Sequence, residues 1–277
     1  MTRPFRQIDV FTDTPYFGNP VAVVLDGDGL TTQEMQRFAN WTNLSETTFV
    51  LPPTDPAADY RVRIFTPSTE LPFAGHPTLG TCHAWLTSGG VPRQGDVAVQ
   101  QCAAGLILVR RTGEALAFAA PPLVRSGPVA EPLVAEVAGV LGIEWGDILD
   151  AEWVDNGPGW LAVLLGSVEE VLAVRPASTE LVIGVVGLYP PGSPEAIEVR
   201  AFFPKDGGST AEDPVTGSLN ASLAPWLIGS GRVAAPYVAR QGTELGRSGR
   251  VHVSTDDDGT VWVGGGTVTS VTGEVDL

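Results

Sequence analysis

An internal repeat constrains the fold of this chain more than any other feature of its sequence. The pattern Arg-x-Phe-x-Pro occurs at residues 63–67 and again at 200–204, and the pattern Glu-x-Pro-x-x-Gly occurs at 70–75 and again at 212–217. The two patterns keep the same order in both copies, and the copies lie roughly 140 residues apart, which is about half of the chain. A period of that length predicts two similar domains rather than a solenoid of short repeats.

Each copy of the repeat predicts a strand, a loop and the start of a helix. Residues 60–65 and 197–202 alternate apolar and polar side chains, as half-buried strands do. A loop containing proline follows in both copies, and the helices are then expected to begin at Gly75 and Gly217.

Two prolines affect the helices that the repeat predicts. Pro77 suits the first position of the first helix, because a proline has no N–H to leave unpaired there, and residues 78–88 after it carry apolar side chains at helical spacing. Pro225 lies inside the second helix, residues 218–228, and predicts a kink or an early end. Two further helices are predicted elsewhere, at Thr31–Trp41 and Glu131–Leu141.

The composition agrees with strands and turns and excludes several functions. With 33 Gly and 23 Pro the chain is not a helical bundle, and strands with interspersed helices predict an α+β fold in which each domain wraps a sheet around its helix. The formal net charge of −16 argues against nucleic-acid binding, and no apolar run is long enough to span a membrane. Three histidines and two cysteines, without metal-ligand spacing, give no metal site. We expect a cytoplasmic protein, since no signal peptide is recognised.

The domain boundary is expected near Ala120, where Ala-Pro-Pro-Leu interrupts regular structure. The first domain is then residues 1–119 and the second is residues 120–277, and the last strand is free to return to the first domain. The helix starts at Gly75 and Gly217 each offer free N–H donors and the positive end of a helix dipole. If they faced each other across the domain interface, they would form a cleft suited to a small carboxylate.

Four side chains are candidates for chemistry. Glu46 lies at the start of an apolar strand. It is either a general acid–base, whose carboxyl pKa burial would raise, or an exposed residue at the strand edge. His76 is either a neutral hydrogen-bonding residue of the site or a turn residue, since a helix start disfavours the imidazolium. Asp213 and Ser218 either cap the second helix or contribute to the site, and a Ser-His-Asp triad is conceivable, although Ser218 is not in a Gly-x-Ser-x-Gly elbow.

The chain resembles the phenazine-biosynthesis PhzF-like isomerase family, which shares the diaminopimelate epimerase fold. The resemblance lies in short motifs that run in order over most of the chain: Asp-Val-Phe-Thr at 9–12, Phe-Gly-Asn-Pro at 17–20, Asn-Leu-Ser-Glu-Thr at 43–47, the two repeat copies with Gly-His-Pro at 75–77 and Asp-Pro-Val-Thr-Gly-Ser at 213–218, and Arg-Gln-Gly-Thr-Glu-Leu-Gly-Arg at 240–247.

The resemblance implies two pseudo-symmetric domains, each a β-sheet rolled around a central α-helix, in a cofactor-free enzyme that is often a homodimer. It implies that Glu46 is the acid–base and that His76 and Asp213 assist it. The substrate-binding residues would then be Asn19, Ser45, Gly75, Gly217 and Ser218, which would hold the carboxylate of a small molecule. The epimerases of this fold use paired cysteines at the helix starts, and this chain has His76 and Ser218 there instead, which argues against a two-cysteine racemase.

The expected activity is therefore isomerisation of a small, carboxylate-bearing, cyclic or unsaturated metabolite by a proton shift through Glu46. Two alternatives stay open: a racemase or epimerase of an amino-acid-like compound, and a non-catalytic protein that binds carboxylates. Trp41 and Trp160 either shape a pocket for a ring or are ordinary core or surface residues.

Overall fold

A computed structural model describes residues 1–113, 115–205 and 207–277. The chain divides into two compact units: Met1–Ala119 with Gly264–Leu277, and Ala120–Val263. Both units combine β-sheet with a few helices, so the predicted α+β class is confirmed.

The first unit contains nine strands and two helices among its described residues. In chain order they are β1 (Thr2–Val10), β2 (Asn19–Val24), α1 (Thr32–Thr42), β3 (Glu46–Leu51), β4 (Tyr60–Phe65), β5 (Glu70–Leu71), α2 (Gly75–Thr87), β6 (Val97–Cys102), β7 (Gly105–Thr112), β8 (Ala115–Ala119) and the C-terminal β18 (Thr267–Asp276). The strand order across the sheet is β18, β1, β2, β3, β4, β6, β7, β8, and β5 pairs with the end of β4. The pairs β2–β3 and β4–β6 are parallel and the others antiparallel.

The second unit repeats this arrangement. Its elements are β9 (Arg125–Pro128), α3 (Glu131–Leu141), β10 (Ile148–Asp155), β11 (Trp160–Leu165), α4 (Val168–Ala173), β12 (Val182–Leu188), β13 (Ile197–Lys205), β14 (Ser209–Glu212), α5 (Gly217–Gly229), β15 (Tyr237–Gln241), β16 (Gly249–Thr255) and β17 (Val261–Gly265), the last of which reaches the boundary between the units. The order β9, β10, β11, β12, β13, β15, β16 has parallel pairs at β11–β12 and β13–β15, the same places as in the first unit.

The helix α2 lies in the interior of the first unit. It contacts β1, β2, β3, β6, β7 and β8, and its residues from Gly75 to Cys82 are all buried. A helix that is buried around its circumference needs apolar or small side chains on every face, which the run Gly-His-Pro-Thr-Leu-Gly-Thr-Cys provides. Gly80 allows the closest approach, because a Cβ there would lie 2.3 Å from Val21 Cγ1.

The helix α5 is the counterpart of α2 in the second unit. It has the same length, 13 residues, and contacts β10, β11 and β16. Here the close approach depends on a glycine of the sheet instead of the helix: a Cβ on Gly184 in β12 would lie 2.6 Å from Leu219 Cδ1. The two units therefore bring helix and sheet together by different glycines.

The repeated Arg and Glu residues form the same ion pair in each unit. Arg63 donates from Nε and Nη2 to the two carboxylate oxygens of Glu70, at 2.7 and 2.6 Å. Arg200 donates in the same way to Glu212, at 2.9 and 2.7 Å. Each pair joins the strand that begins the repeat to the short strand that precedes the buried helix, β4 to β5 in the first unit and β13 to β14 in the second. The repeated residues are thus explained by the fold.

Two expectations about the prolines of the repeat helices need correction. Pro77 is the third residue of α2 and not the first; the position is tolerated because the first four N–H groups of a helix lack partners. The helix α5 does not end at Pro225 but continues to Gly229, and it buries Leu223, Ala224 and Leu227 around the proline. Burial of these side chains compensates for the backbone hydrogen bond that a proline cannot make.

Candidate active site

Glu46 and His76 are in contact within the first unit. Glu46 is the first residue of β3 and His76 is the second residue of α2. Asn43 ends α1 in the left-handed conformation, with φ of 55°, so the chain turns within three residues from the helix into β3. Glu46 Oε2 lies 3.2 Å from His76 Nε2, and the two side chains are only 16% and 5% exposed. This is a shielded carboxyl with a titratable neighbour.

His76 is neutral in the folded protein. Burial lowers the pKa of His76 to about 3, and a hydrogen bond to the Pro20 carbonyl opposes this shift without reversing it. A neutral imidazole has one N–H donor and one acceptor nitrogen. With the ring proton on Nε2, the imidazole can donate to Glu46 both as a carboxylate and as a carboxylic acid, whose carbonyl oxygen is also an acceptor.

Asn19 holds the other side of the imidazole ring. It begins β2, is fully buried, and its Nδ2 lies 3.3 Å from His76 Nδ1. A buried amide on one ring nitrogen and a carboxyl on the other fix the ring plane. Two other predicted residues adjoin the pair: Ser45 is exposed immediately before Glu46, and Gly75 is the buried first residue of α2.

Asp213 is oriented by a directional chain of hydrogen bonds in the second unit. Gln241 Nε2 donates to Thr216 Oγ1 at 2.9 Å, and Thr216 Oγ1 donates to Asp213 Oδ2 at 2.6 Å. Gln241 Oε1 in turn accepts from the Thr216 backbone N–H at 3.0 Å. These hydrogen bonds give Asp213 a donor, the Thr216 hydroxyl, and a carboxylate is the form of Asp213 that accepts it. Thr216 and Gln241 were not predicted as site residues from the sequence.

Ser218 is the second residue of α5, after Gly217, and is not its N-cap. Thr216 occupies the N-cap position, and its side chain bonds Asp213 instead of the helix. Trp160 Nε1 donates to Ser218 Oγ at 3.1 Å. Asn156 Nδ2 donates to the Ser218 carbonyl oxygen, also at 3.1 Å.

The structure thus brings Glu46, His76 and Asn19 together in the first unit, and places Asp213, Gly217 and Ser218 around the start of α5 in the second. The two tryptophans differ: Trp160 is 4% exposed and bonded to Ser218, whereas Trp41 is 79% exposed and stacks on Phe38. The repeat copy at 212–217 and the motifs at 213–218 and 240–247 cover the surroundings of Asp213, whereas no sequence signal points to the bond between Trp160 and Ser218.

The cysteines do not occupy the helix starts. Cys82 is the eighth residue of α2 and fully buried, and burial raises the pKa of its thiol to about 12, so it is protonated at neutral pH. Cys102 ends β6. Among the described residues, no group of three or more His, Cys, Asp or Glu side chains is placed to hold a metal ion.

None of the helices in the described part of the chain is both long enough and apolar enough to cross a membrane.

Comparison with known proteins identifies the family. The model of the PhzC-PhzF family, described as phenazine biosynthesis-like protein, matches residues 8–273. The chain belongs to this family, as its motifs predict, and it is an isomerase.

Individual relatives agree over nearly the full length. The chain is 37% identical to Antisense-enhancing sequence 1 of Schizosaccharomyces pombe, covering 98% of this chain and 97% of the relative. It is 35% identical to trans-2,3-dihydro-3-hydroxyanthranilate isomerase of Pseudomonas aeruginosa, covering 91% and 90%. The crystal structure of the Bacillus anthracis phenazine biosynthesis protein of the PhzF family matches with a TM-score of 0.86 at 25% identity, covering 100% of both chains.

Proposed function

We propose that this isomerase shifts a proton between two carbons of a small, carboxylate-bearing, cyclic or unsaturated metabolite, with Glu46 as the general acid–base. The observation that carries the proposal is the 3.2 Å contact between Glu46 Oε2 and the neutral, buried His76. A carboxyl shielded from water and paired with an uncharged partner can take up and give back one proton without charging a second group.

The reaction balances without any other reagent. The Glu46 carboxylate removes a proton from a C–H bond next to a π system, and the electron pair left behind is delocalised over the adjacent double bonds. The protonated Glu46 then returns the proton to a different carbon, which moves a double bond and restores the carboxylate. With its ring proton on Nε2, His76 can donate to Glu46 in both forms, because a carboxylate oxygen and the carbonyl oxygen of a carboxylic acid are both acceptors.

The substrate class is inferred from the donors near the two helix starts. Neither α2 nor α5 has a side-chain cap, so backbone N–H groups at Gly75 and Gly217 remain to hold an anion. Asn19, Ser45 and Ser218 would supply further polar contacts, and Asp213 would assist proton movement. The Pseudomonas aeruginosa relative acts on trans-2,3-dihydro-3-hydroxyanthranilate, a compound of this class, and its resemblance to this chain supports a cyclic carboxylate as substrate. From the motifs that the chain shares with the PhzF-like family, we further propose a cofactor-independent homodimer that acts in the cytoplasm.

Isotope exchange tests the reaction type. Cyclohexadiene carboxylates, including trans-2,3-dihydro-3-hydroxyanthranilate, are incubated with the protein in D₂O and followed by proton NMR. We expect a product with a moved double bond that carries deuterium at the receiving carbon, to the extent that Glu46 exchanges with solvent before it returns the proton.

Other outcomes point to the alternatives. Starting compound that gains deuterium at its original carbon, with no double bond moved, indicates racemisation and contradicts a proton shift. Binding of these carboxylates without any exchange or rearrangement indicates a non-catalytic binding protein.

A further inference from the structure

The contact of Trp160 with Ser218 determines which way Ser218 can hydrogen-bond. An indole has one N–H donor and no acceptor, so at 3.1 Å the Ser218 oxygen is the acceptor. A serine hydroxyl that accepts from one side keeps its own proton for a second partner. Among the residues that the structure describes, none accepts that proton, and Ser218 is partly exposed. The Ser218 hydroxyl is therefore a donor available to a bound molecule.

Asn156 fixes the same residue from the backbone side. Its Nδ2 donates to the Ser218 carbonyl oxygen, and since a carbonyl accepts only from a donor, this contact sets the orientation of the amide. Its Oδ1 is then buried without a hydrogen-bond partner in the described part of the chain. An unpaired buried acceptor is unfavourable, so the loop between β10 and β11 holds Ser218 at an energetic cost.

We propose that Trp160 is a positioning residue that makes Ser218 a dedicated hydrogen-bond donor to the carboxylate of the substrate. The inference rests on the proposed function for the presence of that carboxylate. Acceptance from the indole polarises the Ser218 O–H bond and strengthens its donation, and the start of α5 favours negative charge beside it. The same contact occupies a lone pair of Ser218 Oγ, so it disfavours Ser218 as a nucleophile and with it the Ser-His-Asp triad.

The binding of two matched probes tests the inference. Anthranilate carries a carboxylate on a ring, and anthranilamide has the same shape with a neutral amide in its place. Isothermal titration gives the ratio of their dissociation constants for the native protein and for Trp160→Phe, which removes the N–H and keeps an aromatic ring. We expect the native protein to prefer anthranilate, and Trp160→Phe to reduce that preference by about 3- to 10-fold, the worth of one hydrogen bond.

A double-mutant cycle separates positioning from a general structural effect. Ser218→Ala should also weaken the preference for anthranilate, and Trp160→Phe should add nothing further in the Ser218→Ala background. Trp262→Phe is the matched control, because Trp262 is also buried and also donates its indole N–H, to Asp256 Oδ2 at 2.6 Å. It should leave the preference unchanged.

Three results would overturn the inference. The first is that the native protein binds both probes equally well or binds neither. The second is that Trp160→Phe leaves the preference for anthranilate unchanged. The third is that the effects of Trp160→Phe and Ser218→Ala on this preference are fully additive. A failure of the proposed function is distinguishable, because it shows in the D₂O experiment and not in this ratio. Suppose that deuterium exchanges without rearrangement while the effects of Trp160→Phe and Ser218→Ala are coupled. The proton-shift reaction would then be contradicted, and the role of Ser218 as a donor to the carboxylate would still be supported.

Discussion

The two units share their strand order and their Arg–Glu ion pair, but they differ at the positions proposed for chemistry. In β3, Phe49 lies opposite Arg63, and in β12, Val185 lies opposite Arg200, so Glu46 in the first unit corresponds to Val182 in the second. The second residue of the buried helix is His76 in one unit and Ser218 in the other. The residues of the Arg–Glu ion pair, which build the fold, therefore recur, and the residues proposed for proton transfer do not.

This asymmetry bears on the reaction. A racemase with two opposed acid–bases would most simply carry one at each equivalent position. In this chain the proposed acid–base Glu46 and its neighbour His76 lie in the first unit, and Val182 and Ser218 stand at the equivalent positions of the second. The comparison favours a single carboxyl that both removes and returns the proton.

The ion pairs give the largest predicted difference in stability between the units. Arg200 and Glu212 have side chains only 4% and 10% exposed, and Arg200 also donates to the Val174 carbonyl after α4. Arg200→Met would leave Glu212 buried and unpaired, at a cost of about 3–5 kcal/mol in the free energy of unfolding. Arg63 and Glu70 are more exposed, at 18% and 34%, so Arg63→Met should cost about 1 kcal/mol or less.

Urea unfolding at neutral pH measures both variants. Equal losses for Arg63→Met and Arg200→Met would show that the difference in burial has no energetic consequence, and the comparison of the two pairs would fail.

The glycines of the helix–sheet contacts give a smaller effect. Gly80 and Ser222 are each the sixth residue of their helix, α2 and α5. Gly80→Ser would place the side chain of the second unit in the first, where Val21 Cγ1 lies 2.3 Å from the new Cβ, and overpacking should cost about 1–3 kcal/mol.

The reverse change, Ser222→Gly, is the matched control. It should lower the free energy of unfolding by less than about 1 kcal/mol. Glycine has a lower helix propensity than serine, but the change also removes a buried hydroxyl that has no hydrogen-bond partner in the described residues. Thermal unfolding compares the two. If Gly80→Ser were as stable as the native protein, the close contact would not constrain α2.

Much of this fold was predictable, because the repeat predicted the strand, loop and helix start of each unit, although not the ion pairs between its Arg and Glu residues. Short elements were not: α4 has six residues, too few for a helical period, although Ser167 caps it and accepts from the Glu170 N–H at 3.2 Å. The continuation of α5 past Pro225 depends on tertiary burial, which local propensity does not contain.

The site was predictable as a set of candidate residues and not as a set of contacts. The motifs named Glu46 and His76 separately, but their contact joins residues about 30 positions apart and depends on how β3 meets α2. The Trp160–Ser218 bond spans 58 positions without any local pattern, so only the structure assigns Trp160 a role.

The most direct test of the account is the turnover of Glu46→Gln on a cyclohexadiene carboxylate that the native protein isomerises. Glutamine keeps the shape of Glu46 but cannot carry the proton, so kcat should fall by about 10² to 10⁴ while anthranilate binding stays within about threefold. Glu152→Gln is the control, since Glu152 is a carboxyl in the second unit whose pKa burial raises, and it should leave kcat unchanged. A native kcat in Glu46→Gln would contradict the assignment of the proton shift to the first unit.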